Sequence, residues 1–473
     1  MAERPSTSPA PAEAAAGLAD GLQVDFGQDW EANRSRIRQI LELSGITNPF
    51  MSFEWLSTWW KYWGKGKRLQ LFFFDRGGTT VGFVPLFSTR SMGVTNYYVV
   101  GHRTSNYLDV VSAPGEQEAV LRALCRTLAE RRSPTLLNLM DVSSASPTYE
   151  ALRALEGDRT VGPSFYRLYT CPFAALGEEW QKYFAGVMGR KHRSQVRSAA
   201  RRLAGLGDVR LRVLADAGPI EDMLPKVRAI HEERFRRQYN NALGDRKIAF
   251  LQELLPSMSG NAIVLVVLEL DEEPIAFLLG LKSGSVLIDY IQGFDPAFER
   301  YSPGNLLIFE LTEWLVSAGY EALDFSKGDE VYKRRWSTGE TENYLALIAI
   351  GSGVRLGLYL WRERLRMRSL LWLRGRGYNR TIKRFLGTVR WVLRGPRSWR
   401  PVRSRVRQAA AASPGAGMPV RYRMIKDLPL GARGAVLDFC HAHHRGEVRL
   451  EDGDGRRVTV RDERTHEAIE VSW

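Results

Sequence analysis

The stretch DYIQGFDPAFERYSPGNLLIFELTEWLVSAGYEALDFSKGDEVYKRRW, residues 289–336, decides the fold that the sequence predicts. Apolar residues at every second position predict a strand over residues 285–294. A loop with Asp295-Pro296 and Ser302-Pro303-Gly304 follows. Apolar residues at helical spacing then predict a helix that ends at Gly319, and a second strand is predicted over residues 320–326.

The loop before this helix is placed to bind an anion. The first turn of a helix leaves backbone N–H groups unpaired, and the helix dipole makes that end positive. The small residues Ser302 and Gly304 let a ligand approach the backbone closely. An ordinary strand–helix–strand crossover, in which the Pro and Gly only start the helix, is the alternative, because one glycine in a loop is weak evidence.

Two motifs in this stretch resemble those of a known family. Arg300-Tyr301-Ser302-Pro303-Gly304-Asn305-Leu306-Leu307, preceded by Tyr290-x-x-Gly293-x-Asp295-Pro296, resembles the CoA-facing segment of GNAT-type acyltransferases. The resemblance is closer to the CelD-like branch, which is found with bacterial cellulose and exopolysaccharide synthesis. Leu323-Asp324-Phe325-x-x-Gly328-x-x-x-Tyr332-Lys333 also matches that branch.

The loop departs from the usual family pattern in one respect. The usual pyrophosphate loop has Gln or Arg, two residues, Gly, one residue, and Gly or Ala. In this chain only Gly304 is present, and Arg300 lies one position too far upstream. The departure leaves open whether the donor carries an acetyl group, whereas the implied fold is unaffected.

The resemblance implies acyl-CoA (acetyl-CoA or longer) as co-substrate, no metal, and a set of site residues. The implied cofactor-binding residues are Asp295, Arg300, Tyr301, Ser302, Pro303, Gly304, Asn305 and Gly328. Transfer needs a base for the proton of the nucleophile and an acid for the departing thiolate. The candidates for these roles are Asp289, Tyr290, Asp324, Tyr332 and Lys333. A helix or turn cap is the alternative for Asp324, and an Asp-Pro turn is the alternative for Asp295.

Composition indicates a soluble globular protein with more than one domain, at 473 residues, 44% hydrophobic and 25% charged. The three cysteines, Cys125, Cys171 and Cys440, are far apart and predict reduced thiols in a cytosolic setting. The first residues, rich in Ala, Pro and Ser, lack the apolar core of a signal peptide and predict a disordered leader. The sequence contains no run of about 18 uncharged apolar residues, so no transmembrane helix is predicted.

The second half of the chain repeats the element order of the first half, namely hairpin, strand, helix and strand. The similarity between the halves is weak. Such an arrangement resembles the tandem GNAT-like halves of Fem-type aminoacyl transferases. The expected fold is therefore α/β (α+β), with mixed central sheets flanked by helices, and residues 343–350 are expected to close the second sheet. The expected divisions are a leader (1–20), a degenerate N-terminal half (21–165), a catalytic half (166–352), a basic amphipathic helical segment (353–408), a linker (409–418) and a small C-terminal α+β module (419–473).

Two segments have aromatic or basic residues at helical spacing. Residues 50–63 are rich in Phe and Trp, and their packing on a sheet is favoured over a sugar-binding platform. Between the halves, Arg190, Arg193, Arg197 and Arg201 fall on one helical face. This face is interpreted as a clamp for phosphates of the cofactor or the acceptor, and a solvated face is the alternative.

The basic charge of the chain is concentrated in residues 353–408. This segment holds 17 of the 67 Lys and Arg residues but one of the 53 acidic residues, Glu363, so the rest of the chain is near neutrality. Arg interleaved with Leu and Trp is typical of interfacial helices on anionic lipid. Nucleic acid and a helical cap over the last sheet are the alternatives. In the C-terminal module, Cys440, His441, His443 and His444 lack the spacing of a metal site.

The sequence as a whole predicts a cytoplasmic acyltransferase, peripheral to the inner face of the membrane. The expected acceptor is an amine or hydroxyl, with a sugar or lipid-linked saccharide of envelope or exopolysaccharide synthesis implied by the family resemblance. One alternative is a Fem-type transferase that uses aminoacyl-tRNA, and tRNA is the one nucleic-acid partner considered. A non-catalytic, membrane-docked binding protein is the other alternative.

Overall fold

A computed structural model of the protein describes most of the chain. The described residues are 18–19, 21–158, 162–177, 179–235, 243–258, 262–328, 330–375, 405–408, 418–419, 425, 428, 430–443, 448–452, 457–462, 465 and 467–472. They form two compact units, and the first comprises residues up to 168 with 342–368. The second comprises residues 169–341 with the described residues after 368. Most of the predicted leader and most of the predicted linker lie outside the described residues, although residues 18–19 of the leader form a short strand.

Strands and helices alternate along both units. The strands are β1 (Leu18–Ala19), β2 (Leu22–Gly27), β3 (Arg68–Arg76), β4 (Thr79–Ser91), β5 (Val94–Val99), β6 (Val111–Ser112), β7 (Thr135–Ser143), β8 (Ser164–Ala175), β9 (Val209–Leu214), β10 (Ile263–Leu270), β11 (Glu273–Ser283), β12 (Val286–Phe294), β13 (Ala322–Asp324), β14 (Gly339–Ile350), β15 (Arg405–Gln408), β16 (Met418–Pro419), β17 (Val448–Asp452), β18 (Arg457–Asp462) and β19 (Ala468–Ser472). The helices are α1 (Arg34–Ser44), α2 (Phe53–Trp63), α3 (Gln117–Glu130), α4 (Pro147–Ala154), α5 (Trp180–Val187), α6 (Arg190–Ala204), α7 (Ala217–Phe235), α8 (Asp245–Leu254), α9 (Pro303–Ser317), α10 (Val331–Trp336), α11 (Val354–Gly375) and α12 (Leu430–Ala442).

The first unit is built on a mixed sheet in the order β1-β2-β3-β4-β5-β7-β14. Strands β5 and β7 are parallel, whereas the other neighbours are antiparallel. The predicted hairpin between β3 and β4 is confirmed, and its turn residues Gly77 and Gly78 both have positive φ angles, of 57° and 84°. Glycine adopts this conformation without the steric cost that a side chain would bring.

Strand β14 follows β7 and precedes β8 in the strand order. The sequence predicts that residues 343–350 close the sheet of the second half, and they pair on one side with residues Ser143 to Thr135 of β7 in the first unit. Four consecutive residues of β14, Leu345 to Ile348, are at most 3% exposed. Both faces of the strand are therefore covered by packed side chains. Sequence order alone does not determine which strand β14 pairs with.

The aromatic helix α2 packs into the core of the first unit. Phe53, Trp55 and Trp59 are at most 2% exposed, and the Trp59 ring stacks on Phe87 with centroids 5.5 Å apart. These contacts account for the density of aromatic residues and agree with packing on a sheet.

The segment around Asp109 is mostly irregular. Strand β6 contains only Val111 and Ser112. The Asp109 carboxylate accepts hydrogen bonds from the Ser146 hydroxyl and from the backbone N–H of Val110. Asp109 thus serves as a local hydrogen-bond acceptor. Because the strand at this point is so short, the first half matches the element order of the second half only weakly here.

Helix α11 begins the basic segment and has one buried and one exposed apolar face. Leu356, Tyr359 and Met367 are at most 5% exposed. The buried Glu363 pairs with Arg362 and Arg366 at 3.0 and 2.7 Å. The part of the segment within the first unit therefore caps its core, as one of the three alternatives proposed. Residues 376–404 lie outside the described residues.

The second unit contains a mixed sheet in the order β8-β13-β12-β11-β10-β9. Strands β12 and β13 are parallel, and the other neighbours are antiparallel. The predicted strand, loop, helix and strand of residues 289–336 are confirmed as β12, a 3-10 turn over Pro296–Tyr301, α9 and β13. Helix α9 packs its leucines against the sheet and against α6 in one hydrophobic core. The mixed α/β fold that the sequence predicts is confirmed.

The C-terminal part of the second unit is a small antiparallel sheet with one helix. Its strand order is β15-β19-β18-β17-β16, and α12 packs on it. Strand β15 corrects the prediction that residues 353–408 are helical throughout, because Val406 pairs with Val471 of β19 and alternates with Arg405 and Arg407. Among the described residues, no helix is long and apolar enough to cross a membrane.

Candidate functional site

A β-bulge in β12 lies at the centre of the candidate site. Gly280 of β11 pairs with Asp289, and the preceding Leu279 pairs with Ile291, so Tyr290 is an extra residue on β12. Leu278 and Gly280 are two positions apart and face the same side of the sheet, and so do their partners Gln292 and Asp289. The bulge therefore brings two polar side chains, three positions apart, to one face.

Asp289 is a buried carboxyl group on this face, 4% exposed. Burial raises the pKa of Asp289 to about 7. The positive charges of Lys333 and Arg234 lower this pKa, whereas the negative charges of Asp324 and Glu330 raise it. A carboxyl group with a pKa near 7 can both accept and release a proton at neutral pH.

Tyr332 of α10 lies beside Asp289 and Gln292. The Gln292 side-chain amide donates a hydrogen bond to the Tyr332 hydroxyl oxygen. Burial raises the pKa of Tyr332 well above its ordinary value, and the charge of Asp289 raises it further. The hydroxyl therefore keeps its proton at neutral pH and can donate it.

The turn between β13 and α10 is held by its own polar groups. The Asp324 carboxylate accepts a hydrogen bond from the Ser326 N–H at 2.7 Å, which agrees with the turn-cap alternative. Lys333, 6% exposed, donates to the carbonyl oxygen of Lys327 at 2.7 Å and lies 3.3 Å from Glu330. Gly328 has a φ angle of 118°, where a side chain would be strained and would meet Glu330.

The structure adds two basic residues that the sequence analysis missed. Lys247 of α8 donates a hydrogen bond to the Tyr290 hydroxyl, and its Nζ lies 4.7 Å from the centre of that ring. Burial lowers the pKa of Lys247 to about 7. Arg234 of α7 lies over the Phe294 ring at 3.9 Å and interacts electrostatically with Asp289 and Tyr332. No sequence motif singles out Lys247 and Arg234. They reach the site because α8 and α7 pack beside the bulge, although both helices are far from it in sequence.

The start of α9 leaves fewer N–H groups unpaired than the sequence predicts, because Pro303 has none and the N–H groups of Asn305 and Leu306 donate to the Ser302 carbonyl oxygen at 3.0 and 3.2 Å. Ser302 adopts a left-handed conformation (φ 54°, ψ 48°) and makes no side-chain cap, while Pro303 is the first helical residue. A Cβ atom added to Gly304 would lie 3.4 Å from the Phe294 ring, which is an ordinary contact. Asn305 is held by a 3.4 Å hydrogen bond from the Trp336 indole to its side-chain oxygen.

A cleft of about 520 Å³ opens beside the start of α9. Its lining includes Ser302, Asn305, His192, Arg202 and Arg335, and no acidic residue is among the described residues that line it. The Nε of Arg202 is buried and has no hydrogen-bond partner among the described residues. Two arginines and no acidic residue among the described lining suit the phosphate groups of an anionic ligand.

The arginines that line this cleft differ from those predicted. Arg193 donates to the carbonyl oxygens of Ala185 and Met188 at the end of α5, so it acts as a helix cap. Arg190, Arg197 and Arg201 are exposed. Arg202 reaches the cleft because Val196, Ala199 and Leu203 are buried, and this sets the rotation of α6 about its axis.

Three of the predicted cofactor-binding side chains contact α12 or cap the 3-10 turn that precedes α9. Arg300 pairs with Asp438 at 2.7 Å. The Tyr301 hydroxyl donates to the carbonyl oxygen of Leu437 at 3.2 Å, and Tyr301 is 2% exposed. Asp295 accepts a hydrogen bond from the Ala297 N–H at 2.9 Å, as an Asp-Pro turn requires. These side chains are not among the described residues that line the cleft.

Comparison with solved structures gives likenesses of low identity. FemX is 12% identical, with 68% of this chain and 96% of FemX covered and a TM-score of 0.47. The C-terminal domain of a putative lysylphosphatidylglycerol synthetase from Agrobacterium fabrum is 12% identical, with coverages of 70% and 95% and a TM-score of 0.44. A tandem GNAT protein from the clavulanic acid biosynthesis pathway is 10% identical, with coverages of 70% and 99% and a TM-score of 0.41. Likenesses at this level carry no information about substrate.

Sequence comparison is more specific for one part of the chain. No curated protein matches the chain significantly. The family model of the acetyltransferase (GNAT) domain matches residues 190–334, from the first residue of α6 into α10, and so includes the bulge, the start of α9 and all the cleft residues except Met188 and Arg335. The match is to the family and not to a branch within it. Residues 190–334 are therefore similar to the GNAT acetyltransferase domain.

Proposed function

We propose that the protein transfers an acyl group from an acyl-CoA thioester to an amine or hydroxyl acceptor. The observation that carries the proposal is the pairing of two features in one GNAT-type domain. One is the buried Asp289 beside Tyr332 at the bulge. The other is the cationic cleft at the start of α9, with Arg202 and Arg335.

The chain supplies a base and an acid for this reaction. Asp289 takes the proton of the acceptor N–H or O–H group as the acceptor atom bonds to the thioester carbonyl carbon. The carbon–sulfur bond breaks, and the Tyr332 hydroxyl donates its proton to the departing sulfur. Tyr332 can donate because its oxygen already accepts from Gln292. Lys333 is a positive charge beside Asp289 and favours its ionised form.

The acceptor that we propose is a sugar or lipid-linked saccharide of envelope or exopolysaccharide synthesis. This choice rests on the CelD-like resemblance of the Ser302-Pro303-Gly304 and Gly328-x-x-x-Tyr332-Lys333 motifs. Hydroxyl or amino groups of such a saccharide are nucleophiles of the type that Asp289 can activate.

A Fem-type transfer from aminoacyl-tRNA is the second candidate, and one observation favours it. Arg190, Lys191, Arg197 and Arg201 on α6 are exposed. A row of exposed cations suits the phosphate backbone of RNA, and such binding weakens steeply as salt concentration rises. Salt-dependent binding of charged tRNA, together with no binding of CoA esters, would favour this candidate. Binding of neither ligand would favour the non-catalytic alternative.

We also propose that the protein works at the cytoplasmic face of a membrane through residues 353–408. On α11, Val354, Leu358, Trp361 and Leu365 fall on one helical face and are 80%, 59%, 62% and 42% exposed. Exposed arginines flank this face. Apolar side chains between arginines fit an anionic lipid surface, where the apolar groups insert and the arginines meet the headgroups.

Calorimetric titration of the full chain with CoA, acetyl-CoA and longer acyl-CoA esters tests the proposed function. We expect saturable binding that Gly304→Trp abolishes, because a bulky side chain at the second residue of α9 fills the approach to the helix N–H groups. Gly304→Ala is the matched control, since its Cβ would only touch Phe294. Equal affinity of Gly304→Trp and wild-type protein would show that the ligand binds elsewhere, and no binding of any CoA species would contradict the proposal.

A further inference from the structure

Helix α12 of the C-terminal part packs on the 3-10 turn Pro296–Tyr301, which leads directly into the start of α9. Arg300 Nε lies 2.7 Å from Asp438 Oδ1. The Tyr301 hydroxyl donates to the carbonyl oxygen of Leu437, and the Tyr301 ring meets His441 edge to face at 5.2 Å. The last two residues of the turn are therefore held by one face of α12.

The beginning of the turn is held by the same helix. Arg433 lies 3.7 Å from Asp295, and both side chains are largely buried. The positive charge of Arg433 lowers the pKa of Asp295, although burial raises it more strongly. Asp295 also accepts a hydrogen bond from the Ala297 N–H and so caps the start of the turn. The ion pair with Arg433 therefore holds the capping residue.

An apolar contact accompanies these polar ones. Phe298 and Tyr301 are 0% and 2% exposed and share one hydrophobic core with Val436 and Leu437 of α12. Val460 and Val471 of the C-terminal sheet belong to the same core. The turn is therefore packed between its own domain and the C-terminal sheet and helix, which makes its conformation dependent on both.

Ser302 follows the turn directly, so its backbone conformation depends on how the turn is packed. Ser302 is a non-glycine residue in the left-handed region, a conformation that persists only where surrounding structure fixes it. Its side chain makes no cap hydrogen bond. Its N–H donates to the Glu299 carbonyl oxygen within the turn, and the neighbouring Tyr301 is buried against α12, so the packing of the turn contributes to holding this conformation.

We propose that α12 positions the acyl-CoA site: Asp438, Arg433 and the Leu437 carbonyl hold residues 295–301 so that Ser302 and Asn305, at the start of α9, line the cleft. These are positioning residues, because they act through the turn. The inference rests on the proposed function for the identity of the ligand. It assigns a role to the C-terminal module, for which the sequence alone gives none.

A charge swap in the full chain tests the inference. Arg300→Asp and Asp438→Arg each place like charges in the 2.7 Å pair, and the double variant restores an opposite pair. By calorimetry, we expect each single variant to bind CoA about fivefold more weakly, equivalent to about 1 kcal/mol, and the double variant to return within about twofold of wild type. An Arg300 that contacted the ligand directly would not be rescued by the double variant.

Glu467→Arg is the matched control within the module. Glu467 pairs with His443 at 2.6 Å, a contact that does not involve the turn. We expect CoA affinity of this variant to equal that of wild type. A loss of affinity similar to that of Asp438→Arg would mean that general damage to the module, and not the turn contact, explains the effect, and would overturn the inference.

Hydrogen exchange of the backbone amides of residues 302–306 provides a readout that does not depend on any ligand. We expect faster exchange in both single variants and wild-type exchange in the double variant. Unchanged exchange in Arg300→Asp and Asp438→Arg would overturn the inference even where CoA binds. Absence of CoA binding by the wild type would refute the proposed function, whereas the exchange result would still decide whether α12 positions the turn.

Discussion

At the scale of single residues, Asp289 is the group whose environment departs most from that of an ordinary acid. It sits 4% exposed within an apolar sheet, and burial raises its pKa to about 7. Such a group is costly to ionise, and a strand position that only stabilised the fold would favour an apolar residue. Asp295 and Asp324 are different, because each carboxylate accepts a backbone N–H that defines a turn.

The raised pKa of Asp289 predicts opposite pH dependences for activity and stability. The base form exists above the folded pKa, so kcat/KM should rise with pH up to about 7 and then level. A raised pKa means that the folded state binds more protons than the unfolded state between about pH 4 and 7. The stability associated with the protonated form is therefore present below the unfolded pKa and is lost as pH rises through about 7.

Asp289→Asn tests both dependences. We expect activity to fall by about 10²–10⁴-fold, because the amide cannot accept the proton. At pH 8 we expect the free energy of unfolding to increase by about 1–4 kcal/mol, because a buried charge is removed, as measured by denaturant titration. Asp109→Asn is the control, since that carboxyl group is held by Ser146 and the Val110 N–H in the first unit and does not contribute to the pKa of Asp289. An active Asp289→Asn variant would exclude Asp289 as the base.

Lys247 illustrates a site residue that sequence reasoning could not find. No motif surrounds Lys247 in the sequence, and its contact with Tyr290 arises because α8 packs beside the bulge. A lysine with a pKa of about 7 is partly neutral at physiological pH, so its amine can either accept or release a proton in the site.

At the scale of elements, the start of α9 and the face of α6 together form the cleft. The buried residues Val196, Ala199 and Leu203 fix the rotation of α6. This rotation turns Arg202 toward Ser302 and Asn305, whereas Arg201 is exposed. Adjacent arginines on one helix therefore have different environments, about 100° apart around the axis.

This difference predicts different effects of two similar substitutions. We expect Arg202→Ala to raise the Kd for CoA about tenfold or more, because a charge-assisted hydrogen bond to phosphate is lost. Arg201→Ala removes the same charge from the exposed face, so its Kd should stay within about twofold of wild type. Calorimetry at two salt concentrations would separate a direct contact from general attraction. Equal effects of both variants would contradict the assignment of Arg202 to the site.

At the scale of the whole molecule, the basic charge and the exposed apolar face coincide on α11. Its other face is buried, with Leu356, Tyr359 and Met367 in the core of the first unit. Deleting residues 353–408 would therefore expose that core as well as remove the proposed lipid contact. Substitutions on the exposed face are the cleaner test.

We expect Leu358→Ser with Trp361→Ser to weaken binding to vesicles rich in anionic phospholipid by about tenfold or more. Both side chains are more than half exposed, so their loss removes apolar area that inserts into lipid without opening the core. Vesicle co-sedimentation measures the effect. Leu43→Ser, at a leucine that is 47% exposed on α1, is the control. Wild-type binding by the double variant would refute the proposed membrane face.

The sequence by itself determined the local structure of the second unit. Period-two and helical spacings, Pro and Gly in the loop, and Gly319 after the helix are short-range signals, and they predict β12, α9 and β13 in the correct order. The motifs in the same stretch pointed to the GNAT family, which the match over residues 190–334 bears out. Asp289, Tyr332 and Lys333 were predicted as catalytic candidates, and their roles stay predictions.

Only the tertiary structure decided which side chains meet. The register of β11 against β12 creates the bulge that brings Asp289 and Gln292 to one face. Packing brings Arg234 and Lys247 to the site, rotates Arg202 into the cleft, joins β14 to β7, and sets α12 on the turn before α9. Such contacts join residues far apart in the chain, and their free energy depends on the shape of the folded core, which no local pattern of residues encodes.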